Sequence, residues 1–189
     1  MITIATVVEG FGEVRAVPVL VRRIAQSQGI YGVQVPEPFR LPRAKLTSGE
    51  ELGRACAIAA TRVKGQGCVL LIADADDDCA VVLANQVRTA VPKLNIPLHV
   101  VIANREFESV FLAASASLVA SGHFTARHDG ADPESIRGAK EVVRRLMCGP
   151  AYREAGHQVR LCARMSLTEA RGCRWYRKLE ADLAAVLAG

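Results

Sequence analysis

The chain has 189 residues, 50% of them hydrophobic and 23% charged, with a formal net charge of +5. That length and balance fit one globular unit with a sizeable core and exclude a disordered or low-complexity chain. No apolar run approaches the roughly 18 residues that span a bilayer, and the first twenty residues carry Glu9, Glu13 and Arg15 without an A-x-A-like cleavage site, so a cytoplasmic protein with no membrane contact is expected.

Residues Ile2 to Val8 form an apolar, β-branched run that predicts a buried strand, and it ends in Glu9-Gly10-Phe11-Gly12-Glu13. A helix over Val14 to Gln28 follows, with Val17, Leu20, Val21 and Ile24 on one face; Pro18 suits only its first turn. Glu9 is thus expected at a strand's C-terminal end, faced by Glu13 from the helix start. A second strand over Ile30 to Val35 is closed by Pro36 and Pro38. After a basic loop from Arg40 to Lys45, the capping-box pattern Ser48-x-x-Glu51 opens a helix that runs to about Lys64, where Gly65 and Gly67 stop it.

The third strand, Cys68 to Ala73, runs into Asp74-Ala75-Asp76-Asp77-Asp78. Four carboxylates within five positions repel one another, and their pKa values rise unless a cation or basic side chains offset the charge. Clustered hard oxygens suit Mg²⁺ or a relative such as Mn²⁺. A helix over Cys79 to Val91 leads to the fourth strand, Leu98 to Ala103, which also ends in charge: Asn104-Arg105-Glu106-Phe107-Glu108. The apolar helix expected over Val110 to Ala120 leaves open a homodimer through that surface.

This alternation predicts an α/β fold for residues 1–121, with a parallel four-stranded sheet covered by helices on both faces. Ligands of such sheets bind beyond the carboxyl ends of the strands. Three strands deliver acid to that edge: Glu9, Asp74 with Asp76, and Glu106 with Glu108. Asp77 and Asp78 divide between supporting the site and starting the next helix.

Residues 122–189 read as a basic, α-rich extension packed on the core. A polar loop from Gly122 to Pro133 precedes helices over Lys140 to Cys148, broken by Gly149-Pro150, then His157 to Met165, Leu167 to Gly172 and Arg174 to Ala188. From Arg137 to Lys178 there are eleven Lys and Arg against three acids, a local balance of +8, so the rest of the chain is acidic by three. An acidic edge joined to a basic third suits a polyanion such as nucleic acid that a metal also touches; on charge alone the alternative is a solvated helical surface. Arg137, Lys140 and Arg144 follow i, i+3, i+7 spacing and share one face if the helix begins that early. On that face they would hold phosphates; otherwise they are a solvated stripe.

Several other chemistries fail on the same residues. A calcium loop starting at Asp74 needs Gly at its sixth position and Glu at its twelfth, where Cys79 and Asn85 stand. An aspartyl-phosphate phosphatase places its D-x-D after the first strand, not the third. The six cysteines contain no C-x-x-C and the four histidines are scattered, so buried reduced thiols are expected and zinc is not. No G-x-x-x-x-G-K-[ST] occurs, so ATP coupling of that kind would need an ATPase partner.

Val8-Glu9-Gly10-x-x-Glu13 and Asp74-x-Asp76 resemble the motifs of the Toprim fold, shared by topoisomerases, primases and overcoming-lysogenization-defect nucleases. Taken with Arg105-Glu106-Phe107-Glu108-x-x-Phe111-Leu112 and Arg137-Gly138-Ala139-Lys140-Glu141, the chain looks like the DUF4276 family of Toprim-like bacterial proteins over nearly its whole length. The resemblance implies a Mg²⁺-dependent nuclease or related phosphodiester enzyme, placed as an effector of a defence or conflict system. Glu9, Asp74 and Asp76 would be the metal ligands, and Glu13 would join a second site. By position, Glu106 or Glu108 could complete the coordination or else form a helix-start pair facing the dipole, and Arg105, beside the acidic edge, either serves catalysis there or only pairs with Asp76 or Glu108 and neutralises the site. A topoisomerase is disfavoured, because the chain is too short for a gate domain and none of Tyr31, Tyr152 and Tyr176 lies in a nucleophile motif. The alternative is a non-catalytic nucleic-acid-binding or regulatory module that acts with an ATPase partner.

Overall fold

Strand β1 (Ile2–Val8) lies inside the sheet because its residues are apolar or threonine and are buried on both faces from Thr3 onward. In the computed structural model, which describes residues 1–149 and 151–188, every strand pairing is parallel. β1 pairs along its length with β4 (Gln66–Asp74), and β4 pairs with β5 (Leu98–Ala103), which forms one edge. The other edge is divided: β2 (Val33–Gln34) pairs with Ile2 and Thr3, and β3 (Phe39–Arg40) pairs with Val7 and Val8. The strand expected over Ile30 to Val35 is reduced to β2, and the edge is completed by β3 further along the chain. Pro36 and Pro38 lie between them, and proline has no N–H to give a ladder.

Side chains alternate across the sheet and build two cores. Ile4, Val8, Leu70, Ile72, Val101 and Ala103 face α1 (Glu13–Ser27) and the C-terminal helices. Ala5, Val7, Val69, Leu71, Val100 and Ile102 face α3 (Gly49–Thr61) and α4 (Ala80–Ala90). The fold is thus α/β, with a parallel sheet flanked by helices and a helical C-terminal part. Ser48 caps α3 as its spacing predicts, its Oγ accepting from the Glu51 N–H at 3.5 Å. The basic loop supplies β3 and the single turn α2 (Arg43–Leu46).

Two other local expectations need correction. Pro18 is the sixth residue of α1, beyond its first turn. The helix expected over Val110 to Ala120 is two, α5 (Ser109–Ala113) and α6 (Ser115–Ala120), broken at Ala114 with ψ at 21°. The break frees the first N–H groups of α6, and Glu169 Oε2 takes the one of Ser117 at 3.0 Å. Val110, Phe111, Leu112, Ala114 and Leu118 are buried in the core of this same chain, with Ala113 and Val119 partly buried beside them.

Beyond a 3₁₀ turn at Pro133–Ser135 come α7 (Ala139–Leu146), α8 (Glu154–Arg164), α9 (Leu167–Ala170) and α10 (Arg174–Leu187). They close the core over α1 and β5: Leu161, Cys162, Trp175, Tyr176, Leu179 and Leu183 are all buried there. Burying a large apolar side chain contributes about 1.5–3 kcal/mol, so residues 122–188 complete this core and are no loose appendage. The helix breaker expected at Pro150 lies outside the described residues. All six cysteines are free thiols, four buried as expected and two, Cys79 and Cys148, exposed. Among the described residues no helix is long and apolar enough to cross a membrane.

Candidate functional site

The parallel register brings the ends of β1, β4 and β5 to one edge, with Val8 opposite Ile72 and Asp74 opposite Ala103. The chain turns sharply at each of these ends, so the next residues project over the edge. Glu9 leaves β1, and its Oε2 accepts from the Asp74 N–H at 3.2 Å. Asp74 ends β4, and its Oδ1 accepts from the Phe107 N–H at 2.8 Å. Glu13 folds back from the start of α1, and its Oε2 accepts from the N–H groups of Glu9 and Gly10 at 3.1 and 2.9 Å. A side chain on Gly10 would put its Cβ 2.7 Å from the other oxygen of Glu13. Glycine is what allows that return.

Glu108 lies beneath this group, 1% exposed, with Oε1 accepting from Tyr152 Oη at 2.9 Å and from Gln158 Nε2 at 3.0 Å. Burial raises the pKa of all four carboxyl groups. For Glu13 desolvation, with the charges of Glu108 and Glu9, pushes it to about 7. Asp74 is raised by its burial and then by Glu13, Glu108, Glu9 and Asp76. Glu9 is raised by desolvation against the opposing pull of the Asp74 N–H and Arg43, and Glu108 by desolvation against Lys140, Gln158 and Tyr152. Four carboxyl groups thus share one poorly solvated place and resist carrying four charges together.

Two cations oppose them. Desolvation works to lower the pKa of Lys140, but its 2.8 Å contact with Glu154 and the charges of Glu108, Glu154 and Asp74 outweigh that and hold it high. Arg43 donates to the carbonyls of Asp74 and Ala75 and to Asp78 Oδ2 at 2.6 Å, with Asp76 Oδ2 at 3.7 Å. It fixes the turn that carries the aspartates. Its place in a basic loop was legible in the sequence; its reach to the end of β4 was not. Tyr152 and Gln158 were missed for the same reason, since residues 44 and 50 positions after Glu108 have no spacing signal to it.

Other candidates lie beside the group. Asp76 is exposed at its rim. Glu106 gives both oxygens to the start of α7, accepting from Gly138 N at 3.2 Å and Lys140 N at 2.8 Å, which makes it the cap of that helix. Arg105 contacts Asp77 at 3.2 Å, and Arg137 grips the same carboxylate at 2.9 and 3.2 Å. Arg105, Arg137, Asp76, Asp77, Glu106 and Gly138 together line a cavity of about 190 Å³. The helical face expected for Arg137, Lys140 and Arg144 does not form: α7 starts only at Ala139, after Gly138 with φ at 71°, and Arg144 stands 4.0 Å from Glu141.

The donors are hard carboxylate oxygens of the kind Mg²⁺ or Mn²⁺ takes, and Glu9, Asp74 and Asp76 are chemically suited to hold such an ion, with Glu13 and Glu108 behind them. One oxygen each of Glu9, Glu13, Asp74 and Glu108 is turned onto N–H or O–H donors while Asp76 stands 3.7 Å from Arg43, and among the described residues no group of three or more His, Cys, Asp or Glu side chains converges at ion-holding geometry. Loading would therefore require side-chain rotation of Glu9, Asp74 or Asp76.

Comparison of the chain with protein-family models, with curated proteins and with solved structures finds no match.

Proposed function

We propose that this chain is a Toprim-like, divalent-metal-dependent nuclease or related phosphodiester hydrolase, acting as the effector of a defence or conflict system. The observation that carries the reading is the gathering of Glu9, Glu13, Asp74 and Glu108 at the carboxyl edge of a parallel sheet, Glu13 and Glu108 buried and Glu9 and Asp74 partly so, with raised pKa values. Such a group needs protons or a cation, and at neutral pH a cation is the better partner. Bound there, Mg²⁺ or Mn²⁺ would supply an activated water and neutralise charge on a phosphodiester.

The chain's own residues have definite tasks around that chemistry. Glu9, Asp74 and Asp76 hold the ion; Glu13 and Glu108 set the negative potential behind it. Arg105 and Arg137, now on Asp77, are guanidinium forks that match a phosphate in size and charge. Lys140 balances the buried charge, and Arg43 keeps the aspartate turn in place. Nucleic acid is the substrate class that the excess of arginine and lysine from Arg137 to Lys178 suits.

One observation favours a second reading, a non-catalytic nucleic-acid-binding or regulatory module that acts with an ATPase partner. Glu9, Glu13 and Asp74 already have hydrogen-bond partners, and the carboxylates do not converge. Incubation of the full chain with plasmid and single strands in Mg²⁺ or Mn²⁺, beside Glu9→Ala and Asp74→Ala, separates the two. Metal-dependent cleavage lost in both variants supports the nuclease. Cleavage that survives both contradicts it, and activity appearing only when an ATPase is added supports the second reading.

A further inference from the structure

Phe11 stands two residues from Glu9 and is 66% exposed. Exposure of one ring is ordinary by itself; what distinguishes this one is the cation stacked on it beside the acidic edge. The turn that carries it is fixed on both sides. A Cβ at Gly10 would meet Glu13 Oε1 at 2.7 Å, and one at Gly12 would meet Gln158 Oε1 at 2.3 Å and the backbone of Glu154 at 2.9 Å. The loop is therefore packed tightly against its neighbours, and the ring is held outward.

The guanidinium of Arg40 lies over this ring, its Cζ 3.8 Å from the centroid. Arg40 is itself anchored, since β3 pairs Arg40 with Val8 and its Nη1 approaches the Glu9 carbonyl at 3.5 Å. A planar cation and an aromatic ring thus form one fixed surface next to the carboxylates. Beyond Arg40 a cavity of about 350 Å³ runs along α3; its lining is mostly apolar, Lys45 in it is paired with Glu51, and Arg40 and Arg54 add positive charge.

From this juxtaposition we infer that Phe11 and Arg40 are a stacking platform for one unpaired nucleobase, with a phosphate of the same strand held by Arg40. This deepens the proposed nuclease reading by naming a single-stranded substrate. Bases in a duplex have both faces covered by their neighbours, whereas a single strand can offer one base to an aromatic and guanidinium surface. Phe11 accounts for the affinity of the base, Arg40 for both base and phosphate.

The test uses the full-length chain and oligonucleotides of one sequence containing 2-aminopurine, single-stranded and duplex, with Ca²⁺ and again with EDTA. Wild type should quench the single strand and bind it at least about tenfold more tightly than the duplex. Phe11→Ala, at an exposed position, should weaken single-strand binding about tenfold and leave the melting temperature unchanged, and Phe11→Trp should retain it. Phe11→Ala binding like wild type, duplex binding equal to single-strand binding, or no quenching in either buffer overturns the platform. So does a loss of self-association in Phe11→Ala with oligonucleotide binding intact, which would make the ring a protein contact. A chain that binds and quenches without ever cleaving leaves the platform standing and removes the nuclease reading. One that cleaves duplex and single strands alike, with Phe11→Ala unaltered, does the reverse.

Discussion

The backbone N–H of Asp76 donates to the carbonyl oxygen of Arg105 at 2.9 Å, joining the ends of β4 and β5 past their last sheet bonds. Among the described residues these two are the non-glycine positions with positive φ, 51° for Asp76 and 65° for Arg105. Left-handed backbone costs an ordinary residue on the order of 1–2 kcal/mol, and here both instances meet at the rim of the acidic group. Asp76→Gly should keep stability within about 1 kcal/mol of wild type while abolishing activity, whereas Asp76→Val should lose about 1–2 kcal/mol because a β-branched side chain is worst in that region. Urea unfolding measures both; equal stability of the two variants would contradict the strain.

Gly12 is needed for close approach, not for an unusual torsion, since its φ is −68°. A Cβ there would sit 2.9 Å from the backbone of Glu154 in α8 as well as against Gln158. Gly12→Ala is expected to destabilise by about 1–3 kcal/mol, the usual cost of overpacking a tight interface. A melting temperature equal to that of wild type would show that α1 and α8 can separate freely.

Arg43 joins α2 to the aspartate turn through two carbonyls and Asp78. Removing a part-buried guanidinium with charged hydrogen bonds costs about 1.5–3 kcal/mol, reduced where its partner Asp78 is exposed. Arg43→Ala should therefore lower stability by about 1–2 kcal/mol and lower metal-dependent activity further, because the turn positions Asp76. Activity unchanged at full folding would remove Arg43 from the site.

Glu13 gives the pH dependence its sign. Its folded pKa is raised from 4.5 to about 7, so the folded state holds the proton more tightly than the unfolded one. The stability from this group is complete below about pH 4.5, falls as the pH rises towards 7, and is gone above it. Glu13→Gln keeps an acceptor for the N–H groups of Glu9 and Gly10 and cannot ionise. In EDTA the melting temperature of wild type should fall relative to Glu13→Gln between pH 5 and pH 8; parallel profiles would contradict the shift.

Much of the scaffold was legible because its signals are local. β1 and β5 follow directly from continuous apolar runs, and the acidic ends of three strands reach one edge as a parallel sheet requires. The aspartate run was readable as a place that needs counter-charge, yet the pKa of Asp74 is raised first by its burial and then by Glu13, Glu108 and Glu9, with its neighbour Asp76 contributing last. What stayed hidden depends on distance along the chain. Glu106 looks like one more acid at the edge, yet it caps α7 across 32 and 34 residues. Arg137 looks helical by spacing, yet Gly138 turns the chain before the helix begins. Arg43, Tyr152 and Gln158 reach the site only through tertiary contacts, and no periodicity encodes them.

The central claim is that Glu9, Asp74 and Asp76 hold a divalent cation in competition with protons. Titration of Mn²⁺ into the metal-free full-length chain, followed by calorimetry at pH 8 and at pH 5, tests it most directly beside Asp74→Asn, which keeps an oxygen for the Phe107 N–H. The account predicts binding by wild type at pH 8, weaker binding at pH 5, and a loss of at least about tenfold in Asp74→Asn. No binding by wild type at pH 8, or equal binding by the variant, would contradict it.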